Sequence, residues 1–259
     1  MPETWDRAAR AEMEWPETGL WHGEKSPAVR RLQEWLWLLG FRPGGIDGNY
    51  GAMTAQAVRK LQEARGLPAT GAADVATLRA ASGRMADAFA PLPPTPGGAI
   101  AVAAWVAAQQ HLAASPHEIG GPNAGPWVRA YMRGRQGEDK PWCAGFVSTL
   151  VRQAAQATGI APPFRLSEGC DEIARGARAA GRLFPADAAP PFRGAAIFLV
   201  RGARADDWTH TGLCVRGEGG DPLRSIEGNT NEQGGREGVA VRERGRALAG
   251  LDLALLEAP

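Results

Sequence analysis

The chain has 259 residues, 44% of them hydrophobic and 22% charged, which is the balance of an ordinary globular protein long enough for one large domain or two smaller ones. Lysine and arginine number 29 against 28 aspartates and glutamates, so a formal net charge of +1 offers no electrostatic footprint for nucleic acid or an anionic membrane. Cys143, Cys170 and Cys214 are too few and too widely spaced for a disulfide framework or a zinc knuckle, and they read as reduced thiols.

Residues 1–20 mix charges of both signs without a continuous apolar run, so they read as an N-terminal extension and not as a secretory signal. Ser26-Pro27 then resembles an N-cap followed by proline at the first helical position, and Val29, Leu32, Leu36 and Leu39 recur at helical spacing up to Gly40. "GGIDGNYGAMT" (44–54) is a glycine-rich turn, and Thr54 is placed to cap a second helix carrying Val58 and Leu61. "AADVATLRAA" supplies Val75 and Leu78 for a third. A small three-helix module over 21–83 is therefore expected. Asp47 and Asn49 do not make a calcium loop, because the spaced carboxylates and terminal bidentate glutamate are missing.

The stretch from "SPAVRRLQEWLWLLGF" to "IDGNYGAMTAQAVRKLQEARGLPATGAAD" resembles the peptidoglycan-binding module of bacterial and phage wall hydrolases. The paired L-Q helices, the I-D-G-x-x-G turn and the closing G-L-P-x-T-G carry the resemblance. It implies a wall-binding role and peptidoglycan as partner.

"APLPPTPGG" (90–98), with four prolines and two glycines, predicts an extended linker over 84–98. The remaining 99–259 read as one larger domain. Its first helix, about 99–114, contains the longest apolar run, "AIAVAAWVAA", which is half of the roughly 20 residues needed to cross a bilayer, so no integral membrane segment is expected. A loop "HEIGGPNAGPW", a short helix "WVRAYMRG" and a helix opened by "PWCAGFVS" follow. After residue 194, "GAAIFLVRG", "HTGLCVRGEG", "LRSIEGNTN" and "GVAVRERG" are short, β-prone and separated by turns. Helices first and an antiparallel sheet second predict an α+β fold.

Cys143 shares an apolar helix face with Phe146, Val147, Leu150, Val151 and Ala154, which by itself fits a core residue. Its position in the first turn is what sets it apart, since unpaired N–H groups and the helix dipole there favour a thiolate. A nucleophilic thiol also needs a base. Of four histidines, His22 precedes the first helix of the small module, His111 reads as a polar surface residue of a helix, and His117 lies in a loop as a weaker candidate. His210 opens the strand "HTGLCV", a rigid place from which to aim an imidazole, and is favoured. Glu227 and Asn229, two apart on "SIEGNTN", point to one face, and either could accept from the second ring nitrogen. Trp142 and Trp208 flank the two positions as cleft walls or as packing aromatics. Cys170 and Cys214 lack such partners, and Cys214 reads as core.

The order "PWCAGFV", "HTGLCV", "SIEGNTN", with "EIGGPNAGPWVRAYM" upstream, resembles the CHAP domain, a papain-like cysteine amidase and peptidase that cuts peptidoglycan. Related NlpC-type wall peptidases use the same chemistry. The resemblance implies a papain-like domain with an antiparallel sheet packed on helices, Cys143 as nucleophile, His210 as general base, Glu227 as the residue orienting it and Asn229 as a further polar residue of the site. Thr211 stands where the family often has a small aliphatic residue. No cofactor or metal is implied. The expected activity is hydrolysis of a wall amide, either the muramoyl–alanine bond or one in the stem or cross-link, as a phage endolysin or an antibacterial effector. The alternative is a non-catalytic wall-binding or virion structural protein with an inert papain-like domain. The expected chain is a monomer made in the cytoplasm that acts at the periplasm or wall after delivery through a phage pore or a secretion system. Besides peptidoglycan, an immunity protein or a pore protein is a partner implied by those two routes, and nucleic acid is not.

Overall fold

A computed structural model describes residues 4–94, 99–217, 223–232 and 237–258. Parts of the predicted linker (95–98), of the strand "HTGLCVRGEG" (218–219) and of the polar turn after Asn229 (233–235) lie outside these residues. The chain divides into two compact units, Met1–Asp87 with His117–Asp139, and Ala88–Pro116 with Lys140–Pro259.

The first unit contains α1 (Thr4–Met13), α2 (Pro27–Leu38), α3 (Ala52–Ala64), α4 (Val75–Ala88) and α6 (Pro126–Tyr131). The Ser26 hydroxyl accepts from Val29 N–H at 3.2 Å, as an N-cap should. The two L-Q pairs acquire a shared physical meaning. Gln33 is buried, donates its amide to Asp47, the Asn49 carbonyl and Thr54, and accepts from Gly48 N–H at 2.8 Å. Gln62, buried likewise, donates to the Ala72 carbonyl and Thr77 and accepts from Gly71 N–H at 2.9 Å. Each glutamine thus pins one turn, and in each turn the bonded glycine has a φ of +77° that a side chain rarely adopts. Leu32, Leu36, Val58, Leu61 and Leu78 are fully buried around this frame, each such side chain contributing roughly 1.5–3 kcal/mol.

The extension at 1–20 contains a helix, α1, for which the sequence carried no expectation. Two sequence expectations change. The third module helix runs on to Ala88, because Leu78, Ala81, Met85 and Ala88 continue the buried helical spacing, so the linker expected from residue 84 starts only after it. Residues 117–139, expected with the larger domain, group with the first unit. Arg129 explains this. It donates to both Glu12 oxygens at 2.7 and 2.8 Å and to Glu34 at 2.6 Å, while Trp127 meets Trp35 edge-on at 5.8 Å.

The second unit is α+β. Helices α5 (Ile100–Ala114), α7 (Cys143–Thr158) and α8 (Cys170–Ala179) accompany β1 (Leu183–Pro185), β2 (Ala196–Arg201), β3 (Trp208–Val215), β4 (Leu223–Thr230), β5 (Ala240–Arg246) and β6 (Leu251–Leu255). The strands form one antiparallel sheet in the order β1-β6-β2-β3-β4-β5. β6, α8 and β1 carry no sequence expectation, yet β6 occupies the sheet interior and every one of its residues is buried. Five residues of "LDLAL" are too few for alternation to stand out, and Asp252 is admitted only because it accepts from Trp208 Nε1 at 2.9 Å and pairs with Arg201.

Two strand glycines allow this sheet to meet its neighbours. A Cβ at Gly228 would lie 2.7 Å from the Trp142 ring and 2.8 Å from Phe146, so β4 touches α7 only with glycine there. A Cβ at Gly212 would lie 2.6 Å from Phe198 and 2.9 Å from the Glu227 side chain. Glycine there leaves room for the Glu227 side-chain stem.

Candidate active site

Helix α7 begins at Cys143, with Trp142 as N-cap and no side chain capping its first turn. Phe146, Val147, Leu150, Val151 and Ala154 are fully buried, as the periodicity predicts. The apolar face fixes the helix and the missing cap leaves its N-terminal N–H groups directed at whatever lies before them. Cys143 occupies that place.

His210 is the third residue of β3, and Glu227 lies on the adjacent β4. His210 Nε2 bonds Glu227 Oε2 at 3.0 Å, so Glu227, and not an open choice between Glu227 and Asn229, holds the second ring nitrogen. With Nε2 so engaged, Nδ1 is the ring nitrogen left for the thiol. Nδ1 makes no aligned hydrogen bond, yet His210 and Cys143 are near enough to shift one another's proton affinity.

Glu227 is itself clamped. Arg246 on β5 donates from Nε to Oε1 at 2.7 Å and from Nη2 to Oε2 at 2.5 Å, and the Ser225 hydroxyl donates to Oε1 at 2.6 Å. Burial would raise this carboxyl, but Arg246, His210 and Ser225 together bring it down to about 2. Burial likewise pulls the His210 imidazole down, and the nearby Cys143 thiol and the Glu227 carboxylate outweigh it, raising it to about 9. The Cys143 thiol is held well below the ordinary range, first by the Cys170 thiol 3.9 Å away, then, against burial, by His210 and the backbone of Thr211. At neutral pH these directions describe a thiolate beside an imidazolium, supported from behind by a carboxylate and a guanidinium. The residues are 4% (Cys143), 2% (His210) and 0% (Glu227) exposed, so the cleft expected at the first turn is nearly closed in this conformation.

The other candidates separate cleanly. Asn229 is buried with φ +55°, and its amide donates to the Gly238 carbonyl at 2.8 Å. His22 is exposed on the first unit, and His117, also of that unit, bonds the Glu118 carbonyl at 2.8 Å. His111, expected at the surface, is fully buried between Phe89 and Phe146 with Nε2 bonded to Gln153 at 3.1 Å, and burial depresses it to about 4. Trp142 is a buried packing residue against Phe146. Trp208 ties the start of β3 to α8, its N–H donating to Asp171 at 2.8 Å. Cys214 is core, packed with Ala196 and Phe198 and bonded to the Ala196 carbonyl.

Sequence reasoning missed Ser225, Arg246 and Cys170. Ser225 had a signal, two residues before Glu227 and hence on the same face. Arg246 and Cys170 had none, since one depends on the pairing of β4 with β5 and the other on where an unforeseen helix begins. Among the described residues no group of three or more His, Cys, Asp or Glu side chains could hold a metal ion, and no helix is long and apolar enough to cross a membrane.

The structure therefore joins an α+β unit carrying a Cys-His-Glu cluster to a helical module. Residues 25–81 match the family described as a peptidoglycan binding domain, which associates that module with peptidoglycan. No curated protein and no solved structure matches the chain.

Proposed function

We propose that this protein is a peptidoglycan hydrolase that cleaves an amide bond of the wall through Cys143, His210 and Glu227. The observation that carries the reading is that His210, bonded to the Glu227 carboxylate at 3.0 Å, lies near enough to the first-turn thiol of α7 for each to shift the other's proton affinity. The match of residues 25–81 to a wall-binding family supplies the substrate class, and the resemblance of the cysteine and histidine motifs to CHAP domains supplies the reaction class.

The chemistry follows from the site. The Cys143 thiolate attacks the amide carbonyl, and backbone N–H groups at the uncapped start of α7 stabilise the oxyanion. The His210 imidazolium gives its proton to the leaving amine, so the C–N bond breaks and a thioester remains. Neutral His210 then takes a proton from water, whose oxygen attacks the thioester and releases the acid, restoring the thiolate–imidazolium pair. Glu227 holds the ring orientation throughout. The wall-binding module raises the local concentration of the thiolate at an insoluble substrate.

The test is release of soluble fragments from purified sacculi. Wild-type protein should release them and Cys143→Ala should not; equal release by both proteins sinks the proposal. Failure of the wild type to release anything, with binding to sacculi intact, would favour a non-catalytic wall-binding protein. Mass spectrometry of the fragments identifies the bond.

A further inference from the structure

The sulfur atoms of Cys143 and Cys170 lie 3.9 Å apart. Each cysteine is the first residue of a helix, α7 and α8 respectively. The start of α8 is fastened on both sides of Cys170: the Ser148 hydroxyl of α7 donates to the Ser167 carbonyl at 2.6 Å, and Asp171 accepts from the Trp208 N–H on the strand that carries His210. The two thiols are therefore held face to face by the fold. The third cysteine, Cys214, is spent on the core beside Ala196 and Phe198. Cys170 is also the more accessible member of the pair, being partly exposed where Cys143 is buried.

We propose that Cys143 and Cys170 form a reversible dithiol–disulfide couple, a modification site at which a peroxide oxidises the pair to an internal disulfide and a small dithiol reduces it again. The Cys143 thiolate attacks one peroxide oxygen, the O–O bond breaks, and with one proton the products are a Cys143 sulfenic acid and water. Cys170 then attacks the sulfenic sulfur. Its thiol proton leaves with the hydroxyl as a second water, and the S–S bond forms. Two thiols and one peroxide have become one disulfide and two waters. The sulfurs need to close by about 2 Å, from contact to bonding distance, which side-chain rotation at two helix starts can supply. Cys143 is the attacking sulfur because it carries the thiolate, and Cys170, which keeps its proton, is the resolving one. The disulfide removes the sulfur lone pair that attacks the amide carbonyl, so oxidation also silences hydrolysis; that consequence, unlike the disulfide itself, rests on the function proposed above.

The experiment uses the full chain, reduced, desalted and treated with hydrogen peroxide, then alkylated under denaturing conditions and read by intact mass and peptide mapping. Wild-type protein should lose two hydrogens, leave Cys214 as its alkylatable thiol and yield a Cys143–Cys170 cross-linked peptide; Cys214→Ser should yield the same peptide. Cys170→Ser should stop at a sulfenic acid on Cys143 that a cyclic dione traps. Cys170→Ala serves the same purpose if the serine variant does not fold, as judged by circular dichroism. The couple is overturned if wild-type Cys143 proceeds to a sulfinic acid while Cys170 remains alkylatable, or if wild type and Cys170→Ser give one product. Sacculus release separates the two proposals. A disulfide that forms in a protein whose reduced form releases nothing upholds the couple and defeats the hydrolase. Release by reduced protein that peroxide abolishes and dithiothreitol restores upholds both.

Discussion

Arg246 grips both oxygens of the Glu227 carboxylate, from the edge strand β5 into the buried interior of the sheet. The carboxylate that orients His210 is thus oriented in its turn, and its charge is compensated on two sides. Removing one partner of a buried ion pair leaves the other uncompensated and costs about 3–5 kcal/mol. Arg246→Ala should lower the urea midpoint accordingly and impair sacculus release, whereas Arg246→Lys, which keeps the charge but loses the fork, should be intermediate in both. Wild-type stability in the alanine variant would show the clamp to be idle.

Glu227→Gln tests the carboxylate itself. The amide offers no charge to the imidazolium, so His210 should titrate below its wild-type value of about 9, read by NMR of the ring protons. Release of wall fragments should fall about 100-fold or more, the usual scale of an acid–base contribution.

The pH profile of alkylation follows from the same pair. With the thiol held down and the imidazole raised to about 9, Cys143 should react with iodoacetamide at a nearly constant rate from pH 8 down through neutrality, while Cys214, pushed up by burial, should not react. On the proposed mechanism, hydrolysis should decline on the alkaline side as His210 loses its proton. A Cys143 rate that rises steadily from pH 7 to 9, as for a free thiol, would remove the ion pair from the mechanism.

His111 makes the second unit sensitive to acid. Its folded value is about 4 against 6.5 in the unfolded chain, so below pH 6.5 the unfolded state binds a proton that the folded state refuses. Stability contributed by this site is full above pH 6.5, falls as pH drops, and levels off below about 4 after a loss of about 3 kcal/mol. His111→Phe should remove that part of the acid slope, whatever it costs at pH 7. The check is the difference between wild-type and variant denaturation midpoints across this range.

In the wall-binding module, Gln62→Ala should cost about 2–3 kcal/mol, because Gly71 N–H and the Ala72 carbonyl lose their buried partner together. Sacculus binding by the full chain should fall with it. The equivalent change at Gln33 should behave alike, since that side chain does the same work for the turn at Gly48.

How much of this was legible beforehand depended on the range of the interaction. The helices of the module and the helix opened by Cys143 were written as local periodicity, and strands β2 to β5 as short β-prone segments between turns, both of which are properties of neighbouring residues. β6 was not, being five residues long and recognisable only once it fills the gap between β1 and β2. The linker start was misplaced because proline content marks where a helix cannot continue and says little about how far it has already run. His111 was misread because a histidine on a helix shows its polarity in sequence and its burial only among Phe89, Phe146 and Gln153.

By itself the sequence determined two modules, an α+β class for the second, the residue types of a thiol, an imidazole and a carboxylate, and a wall-binding stretch that the family match at 25–81 supports. Those follow from pattern, which the chain carries locally. Tertiary structure decided that Glu227 and not Asn229 takes the imidazole, that Arg246 and Ser225 stand behind it, that residues 117–139 belong with the first unit, and that Cys170 faces Cys143. Each of those is a contact between residues many positions apart, set by strand register and by where helices begin. Spacing along a chain constrains angles and faces, but only packing brings two sulfurs to 3.9 Å.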